Sequence, residues 1–277
     1  MTGRTATACR SRVARRARRR TVAAVLSSLT TLAAVLMLSA GASAAPVVHV
    51  TGRAVAIPGF PHTGNIYGAG AAVQAEVSIS GTEYAGAPYP LVGVNVYLPA
   101  GVKLHPQGFP TCPPSTVLIE KEPSRCPTGS AAGPVGRVEG VVSFGKTRVN
   151  ESAEVSSFFA PGGGFEFFTF GHSPVSIEVP STASVTHPGG AGGYGPEFVG
   201  TIPLVETVPG APDASVQSID ITLGAAYRHH GKPVYYGTVP RTCPRGGFRV
   251  KAEFLFEAGT GMPVDVAVPF RAPCPPR

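Results

Sequence analysis

The residues best suited to chemistry are four cysteines, each followed directly by proline: Cys112, Cys126, Cys243 and Cys274. No C-x-x-C pair occurs, and no histidine stands at ligand spacing from any of them, which argues against a zinc site. The choice between reactive thiols and disulfides depends on the compartment in which the chain works. The N-terminus indicates that compartment.

The N-terminal 44 residues have the composition of a secretory signal peptide. They hold eight arginines and no acid, then the apolar run TVAAVLSSLTTLAAVLMLSA, then Ala42-Ser43-Ala44. A basic region, an apolar region and small residues before a junction are typical of such a leader, so we predict cleavage after Ala44. The alternative is an uncleaved leader that serves as a membrane anchor, because about 20 apolar residues span a bilayer.

Removal of this leader changes the charge and the cysteine count. Of the 23 lysines and arginines, eight lie in the leader, so 15 remain beside 16 acids and the net charge falls from +7 to −1. The sequence therefore predicts no nucleic-acid partner. Cys9 leaves with the leader, and an even set of four cysteines in an oxidising compartment predicts disulfides.

Four cysteines allow three pairings. We predict Cys112–Cys126, which closes a short loop, and Cys243–Cys274, which brackets a predicted β-hairpin. The tripeptide T-C-P occurs at both Cys112 and Cys243, which leaves a pairing of those two as the second choice. Proline offers no N–H and biases the residue before it to extended geometry, so each cysteine should stand where strand pairing ends.

The serine of GHSPV is the nearest approach to a hydrolytic nucleophile. The nucleophile elbow of α/β-hydrolases, G-x-S-x-G, has glycine on both sides of the serine and a helix after it. Here Val175 stands in place of the second glycine, and the strand-like segment VSIEV follows Ser173. The pattern favours a turn between strands over an esterase-like site.

Carboxylates and histidines offer two further possibilities. A glycosidase-like pair could lie among Glu154, Glu166 and Glu178, but their alternation with apolar residues is typical of a solvated sheet face. We expect His229 and His230 to form a hairpin tip and to point apart, without a third metal ligand. We therefore predict no catalytic residue, no cofactor and no metal site.

Short apolar runs separated by glycine and proline organise the rest of the chain. Residues 73–80, VQAEVSIS, alternate between apolar and polar side chains, and similar runs recur about every 10 to 15 residues. This pattern predicts a single all-β domain over residues 45–277, an antiparallel β-sandwich of jelly-roll or Ig-like type. One short helix, with Ser115 as its N-cap, is expected in the Cys112–Cys126 loop.

The most apolar stretch after the leader is SSFFAPGGGFEFFTFGHS, residues 156–173, with six phenylalanines. We predict a core hairpin that turns at PGGG. The alternative is an exposed apolar edge for a lipid or protein partner. A carrier of a hydrophobic ligand would have an apolar cavity lined from residues 158–170.

Residues 97–140 resemble a recurrent element of uncharacterised exported proteins from actinobacteria. The pattern is L-P-x-G at 98–101, F-P-T-C at 109–112, a short helix, and C-P-x-G-S at 126–130. The resemblance implies secretion and supports the Cys112–Cys126 loop. It implies no activity, cofactor or catalytic residue.

Three functions follow from these observations. We favour an exported, non-catalytic β-sandwich that acts as a structural or binding module outside the cell or at its envelope, with a glycan, protein or lipid as partner. The alternatives are a secreted hydrolase that uses Ser173 or a glutamate pair, and a carrier of a hydrophobic ligand. Membrane contact is expected only through an uncleaved leader.

Overall fold

One antiparallel sheet of eleven strands dominates the structure, which is a computed structural model. It describes residues 45–60, 66–144, 146–173, 176–186, 191–207, 210–259 and 262–275, and the predicted leader lies outside them. The strands, in chain order, are β1 (Val47–Val55), β2 (Ala72–Ser80), β3 (Leu91–Pro99), β4 (Lys103–Leu104), β5 (Gly136–Phe144), β6 (Thr147–Phe159), β7 (Phe165–Ser173), β8 (Ile177–Thr186), β9 (Tyr194–Thr201), β10 (Ser215–Leu223), β11 (Ala226–His229), β12 (Lys232–Tyr235), β13 (Gly237–Thr238), β14 (Phe248–Glu257) and β15 (Pro263–Ala272).

The large sheet curls until its two edges meet. Its strand order is β1-β2-β10-β5-β6-β7-β8-β9-β3-β14-β15, and the short strands form two separate pairs, β11-β12 and β13-β4. The edge strands β1 and β15 lie against each other, since a Cβ atom added at Gly52 would stand 3.1 Å from the ring of Phe270. Strand twist accumulates across a sheet of this size, and the result is a barrel-like shape.

The predicted antiparallel all-β class is confirmed, but the β-sandwich is not. Alternation along a strand shows that one face is buried. It does not show whether that face packs on a second sheet or on the remainder of its own sheet. Here the sheet packs on itself: Val48 of β1 and Ile79 of β2 share a core with Phe254 of β14, near the other edge.

The predicted phenylalanine-rich hairpin is present as β6 and β7. Phe159 pairs with Phe165, and the turn between them is closed by a hydrogen bond from the Ala160 N–H to the Gly164 carbonyl at 2.9 Å. Gly162 and Gly163 have φ of 85° and 92°, a backbone region that other residues rarely adopt. The glycines of PGGG therefore allow the tight turn that brings the two phenylalanine-rich strands together.

Two disulfides are present, with the pairing favoured from the sequence. Cys112 and Cys126 have Cα atoms 5.0 Å apart, and Cys243 and Cys274 have Cα atoms 5.9 Å apart. The second pair stands just outside the β14–β15 hairpin, in which Phe248 pairs with Ala272. The disulfide therefore closes the open end of a hairpin whose strands already lie side by side.

The Cys112–Cys126 loop covers part of the outer face of the sheet. Fully buried Cys112 and Val117 pack on Phe168 of β7. The predicted helix is a five-residue π-helical turn, Ser115–Ile119, which Ser115 begins but does not cap, because Pro114 occupies the N-cap position with helical backbone angles. None of the helices in the described part of the chain is long and apolar enough to cross a membrane.

Candidate ligand cavity

An apolar cavity of about 410 Å³ occupies the interior of the curled sheet. All eleven strands of the large sheet contribute to its wall. Strand β3 lines it from Leu91 to Pro99, which corresponds to about 26 Å along the strand at 3.3 Å per residue. The volume falls within the roughly 300–1,000 Å³ that is usual for small-molecule sites.

Strand number and small side chains explain why this interior is not filled. About eight strands enclose a space that side chains alone can fill, and eleven strands enclose a wider one. Several inward positions also carry little or no side chain. Those on the wall include Gly140, Ala153, Ala183, Gly200 and Ala252.

Two apolar side chains on the wall are well exposed, and they lie at different ends of the sheet. Val73, near the start of β2, is 44% exposed, and Leu204, just after the end of β9, is 47% exposed. Neighbouring strands of this sheet run in opposite directions. Strand β9 is the sixth strand after β2 in the order of the sheet, so the two run in the same direction. The start of one and the end of the other lie at opposite ends of the sheet, so the cavity extends between the two ends.

Two hydroxyl groups on the wall bond to the protein itself. Ser215 Oγ donates to the Pro88 carbonyl at 2.6 Å, and the buried Tyr236 hydroxyl donates to the Gly163 carbonyl. Burial raises the pKa of Tyr236, so its hydroxyl remains a neutral donor. These two bonds withdraw polar groups from a wall that consists mainly of apolar side chains.

Ser173, the candidate nucleophile, is the last residue of β7. Strand β8 begins at Ile177, so a strand follows the serine where a nucleophile elbow would have a helix. Pro174, Val175 and the Ser173 side chain lie outside what the structure describes. The backbone accordingly has the strand-to-strand connection that the sequence predicts.

The three candidate glutamates lie on the outer face of the sheet, and none is on the wall of the cavity. Glu154 and Glu178 flank Phe170 across neighbouring strands, and Glu178 Oε2 is 3.8 Å from Lys121 Nζ. The solvated-face prediction is wrong for Glu166, which is only 4% exposed. It pairs with Phe158, which packs beneath the Cys112–Cys126 loop, and the sequence pattern of β7 does not reveal that cover.

The buried Glu166 carboxylate makes stability depend on pH. Its Oε2 has no hydrogen-bond partner within the described residues, and burial raises the pKa of the carboxyl. A group whose pKa is higher in the folded than in the unfolded state contributes stability below the unfolded-state pKa and loses it as pH rises through the folded-state pKa. Ionisation of Glu166 should therefore lower the free energy of unfolding of the wild type at pH 8.

We expect Glu166→Gln to increase the free energy of unfolding at pH 8 by about 1–2 kcal/mol, because a neutral amide replaces a poorly partnered buried charge. At pH 4 the carboxyl is largely protonated in the folded state and the two proteins should differ little. Urea unfolding at both pH values measures this, with exposed Glu154→Gln as the control. An equal effect at both pH values would contradict the explanation.

His229 and His230 form the predicted hairpin tip, since His229 pairs with Lys232 across β11 and β12. The prediction that they point apart is wrong, because their ring centroids are 4.2 Å apart. His230 has φ of 49°, which breaks the strand alternation and turns its ring toward its neighbour. Within the described residues, no group of three or more His, Cys, Asp or Glu could hold a metal ion.

A polar cluster on the outer face joins β3 and β14. Tyr97 Oη and Lys251 Nζ both donate to Glu253, at 2.9 Å and 2.8 Å, and the ammonium group stands 3.8 Å from the centroid of the Tyr97 ring. Desolvation raises the pKa of Glu253, but the bonds from Lys251 and Tyr97 outweigh it and leave that pKa below its usual value. Lys251 therefore covers one face of the Tyr97 ring.

No known protein family, characterised protein or solved structure matches this chain.

Proposed function

We propose that the protein is exported, loses residues 1–44 and carries an elongated apolar ligand inside the curled sheet. The observation that supports this function best is the apolar cavity, about 410 Å³ in volume and lined along the whole of β3. A structural module gains nothing from such a space, because an unfilled interior forfeits packing energy. A carrier needs it.

Export is the second part of the proposal. Two disulfides are compatible with an extracellular protein, and the first 44 residues have the pattern of a cleaved leader. Secretion would also explain why a hydrophobic ligand needs a carrier, because such a molecule is poorly soluble outside a membrane. N-terminal sequencing of the secreted protein should begin at Ala45, and an intact leader would favour the membrane-anchor alternative.

Titration with N-phenylnaphthylamine, a neutral apolar dye whose emission rises in apolar surroundings, tests the carrier function. We expect saturable binding of one dye per protein and its displacement by straight-chain alcohols. Each added methylene contributes about 0.8 kcal/mol when buried, so affinity should rise about fourfold per carbon until the cavity is full. The absence of saturable binding, or affinity independent of chain length, would refute the proposal.

A further inference from the structure

The two edge strands of the large sheet, β1 and β15, meet along a seam that has no backbone hydrogen bonds within the described residues. Every pair of neighbouring strands in the sheet is antiparallel. Because eleven is an odd number, the closing of the sheet brings together two strands that run in the same direction. The antiparallel ladder therefore cannot continue across the seam, and side chains hold β1 against β15.

The seam has a packed part and a thin part. Val48 of β1 shares a core with Val266 and Val268 of β15. Further along the two strands, Gly52 and Phe270 line the cavity. A Cβ atom added at Gly52 would have two atoms of the Phe270 ring as its nearest neighbours, at 3.1 Å and 3.4 Å. The ring thus takes the place of the missing side chain and closes the thin part of the seam.

We propose that the ligand enters and leaves the cavity through this seam, with the Phe270 ring as the gate. This inference rests on the proposed carrier function and adds the route by which the ligand is exchanged. Separation of β1 from β15 breaks no ladder bond between described residues, whereas an opening between any other two neighbouring strands of the sheet would break several. The seam is therefore the side of the sheet that opens at the lowest cost.

The thin part can open while both edge strands stay in place. Strand β15 is paired with β14 along its whole length, and the Cys243–Cys274 disulfide closes the end of that hairpin near Phe270. Strand β1 is paired with β2 from Val47 to Val55. A change of rotamer moves a ring without moving its backbone. An opening along the side of the sheet also admits an elongated ligand lengthwise, whereas an opening at an end admits it only end first.

Stopped-flow mixing with N-phenylnaphthylamine measures the rate constants of association and dissociation. We expect Phe270→Ala to raise the association rate constant at least tenfold, because binding that requires a conformational change is slower than binding to an open site. Phe198→Ala is the matched control, since it removes the same ring from the wall on β9, three strands away from β15 in the sheet. It should leave the association rate constant unchanged within about twofold. Equal acceleration in the two variants would show that Phe270 is not the gate.

A covalent link across the seam should have the opposite effect. In residues 45–277 the native cysteines form disulfides, so dibromobimane, which fluoresces only after both of its ends have reacted, links introduced thiols alone. We expect linked Gly52→Cys/Phe270→Cys to exchange the dye at least tenfold more slowly than the same variant before linking. His49→Cys/Ser78→Cys is the control, because these exposed residues lie opposite each other on β1 and β2, which are already paired. Linking them should leave the rates unchanged.

The possible outcomes separate this inference from the carrier function. If the dye does not bind to the wild type, the carrier function itself is wrong. If the dye binds and linking across the seam leaves its exchange rates unchanged, the carrier function stands and the ligand enters at an end of the sheet. If Phe270→Ala does not fold, the linked protein decides alone, because its rates are compared within one folded variant.

Discussion

Replacing Ala153 with phenylalanine should reduce the affinity for an apolar ligand at least a hundredfold. Ala153 lies near the middle of β6, is 6% exposed and faces the cavity. A phenyl ring at this position would occupy the space that a chain needs, so the ligand would lose its contacts on both sides of the obstruction. Dye titration measures the loss, and far-UV circular dichroism checks that the sheet is retained.

The matched control places the same ring on the other side of the same strand. Glu154 is exposed on the outer face, so Glu154→Phe adds equal bulk without entering the cavity. It should bind the dye as the wild type does. Overpacking inside a folded protein usually costs about 1–3 kcal/mol, and the existing space at Ala153 should keep the cost near the lower value. Unchanged binding by a folded Ala153→Phe variant would place the ligand elsewhere.

Removal of either disulfide should have the largest effect on stability. In the chain-entropy treatment, a closed loop of about 15 residues contributes roughly 3 kcal/mol, and one of about 30 residues nearly 4 kcal/mol. We therefore expect Cys112→Ala/Cys126→Ala to lower the free energy of unfolding by about 3 kcal/mol and Cys243→Ala/Cys274→Ala by slightly more. Urea unfolding of the three proteins at one pH measures both differences.

The two disulfides should differ in a second way. Cys112 is fully buried against Val117 and Phe168, so loss of the first disulfide should also loosen the loop that covers Glu166. Hydrogen exchange should accelerate in β7 for that variant and remain slow there for the Cys243→Ala/Cys274→Ala variant. A loss of less than about 1 kcal/mol in both variants would mean that the disulfides add little to the packed sheet.

The sequence predicts strands where apolar runs are bounded by glycine and proline. The run at residues 73–80 matches β2, Ala72–Ser80, except for its first residue. Strand β1 is not among the predicted strands, although Val48 and Val50 alternate there with His49 and Thr51. Local pattern thus accounts for most strands, since each depends on neighbouring side chains that share a face.

The cavity was only partly predictable. A carrier is expected to have an apolar cavity lined from residues 158–170, and Phe165 and Phe167 do line one. Phe168 and Phe170 point the other way, to the face beneath the Cys112–Cys126 loop. The wall also depends on small residues from distant strands, such as Gly140 and Gly200, and on the meeting of β1 with β15. The pattern of a single segment does not show which distant strands it will contact, so the closing of the sheet on itself could not be predicted.

A crystal structure of residues 45–277 soaked with a long-chain alcohol brominated at its far end tests the central claim most directly. Anomalous scattering locates the bromine even where the electron density of the alcohol's alkyl chain is weak. The account predicts a bromine peak inside the curled sheet, in contact with the apolar side chains of the cavity wall. A bromine found only on the outer face, or a cavity that stays empty at saturating alcohol, would contradict it.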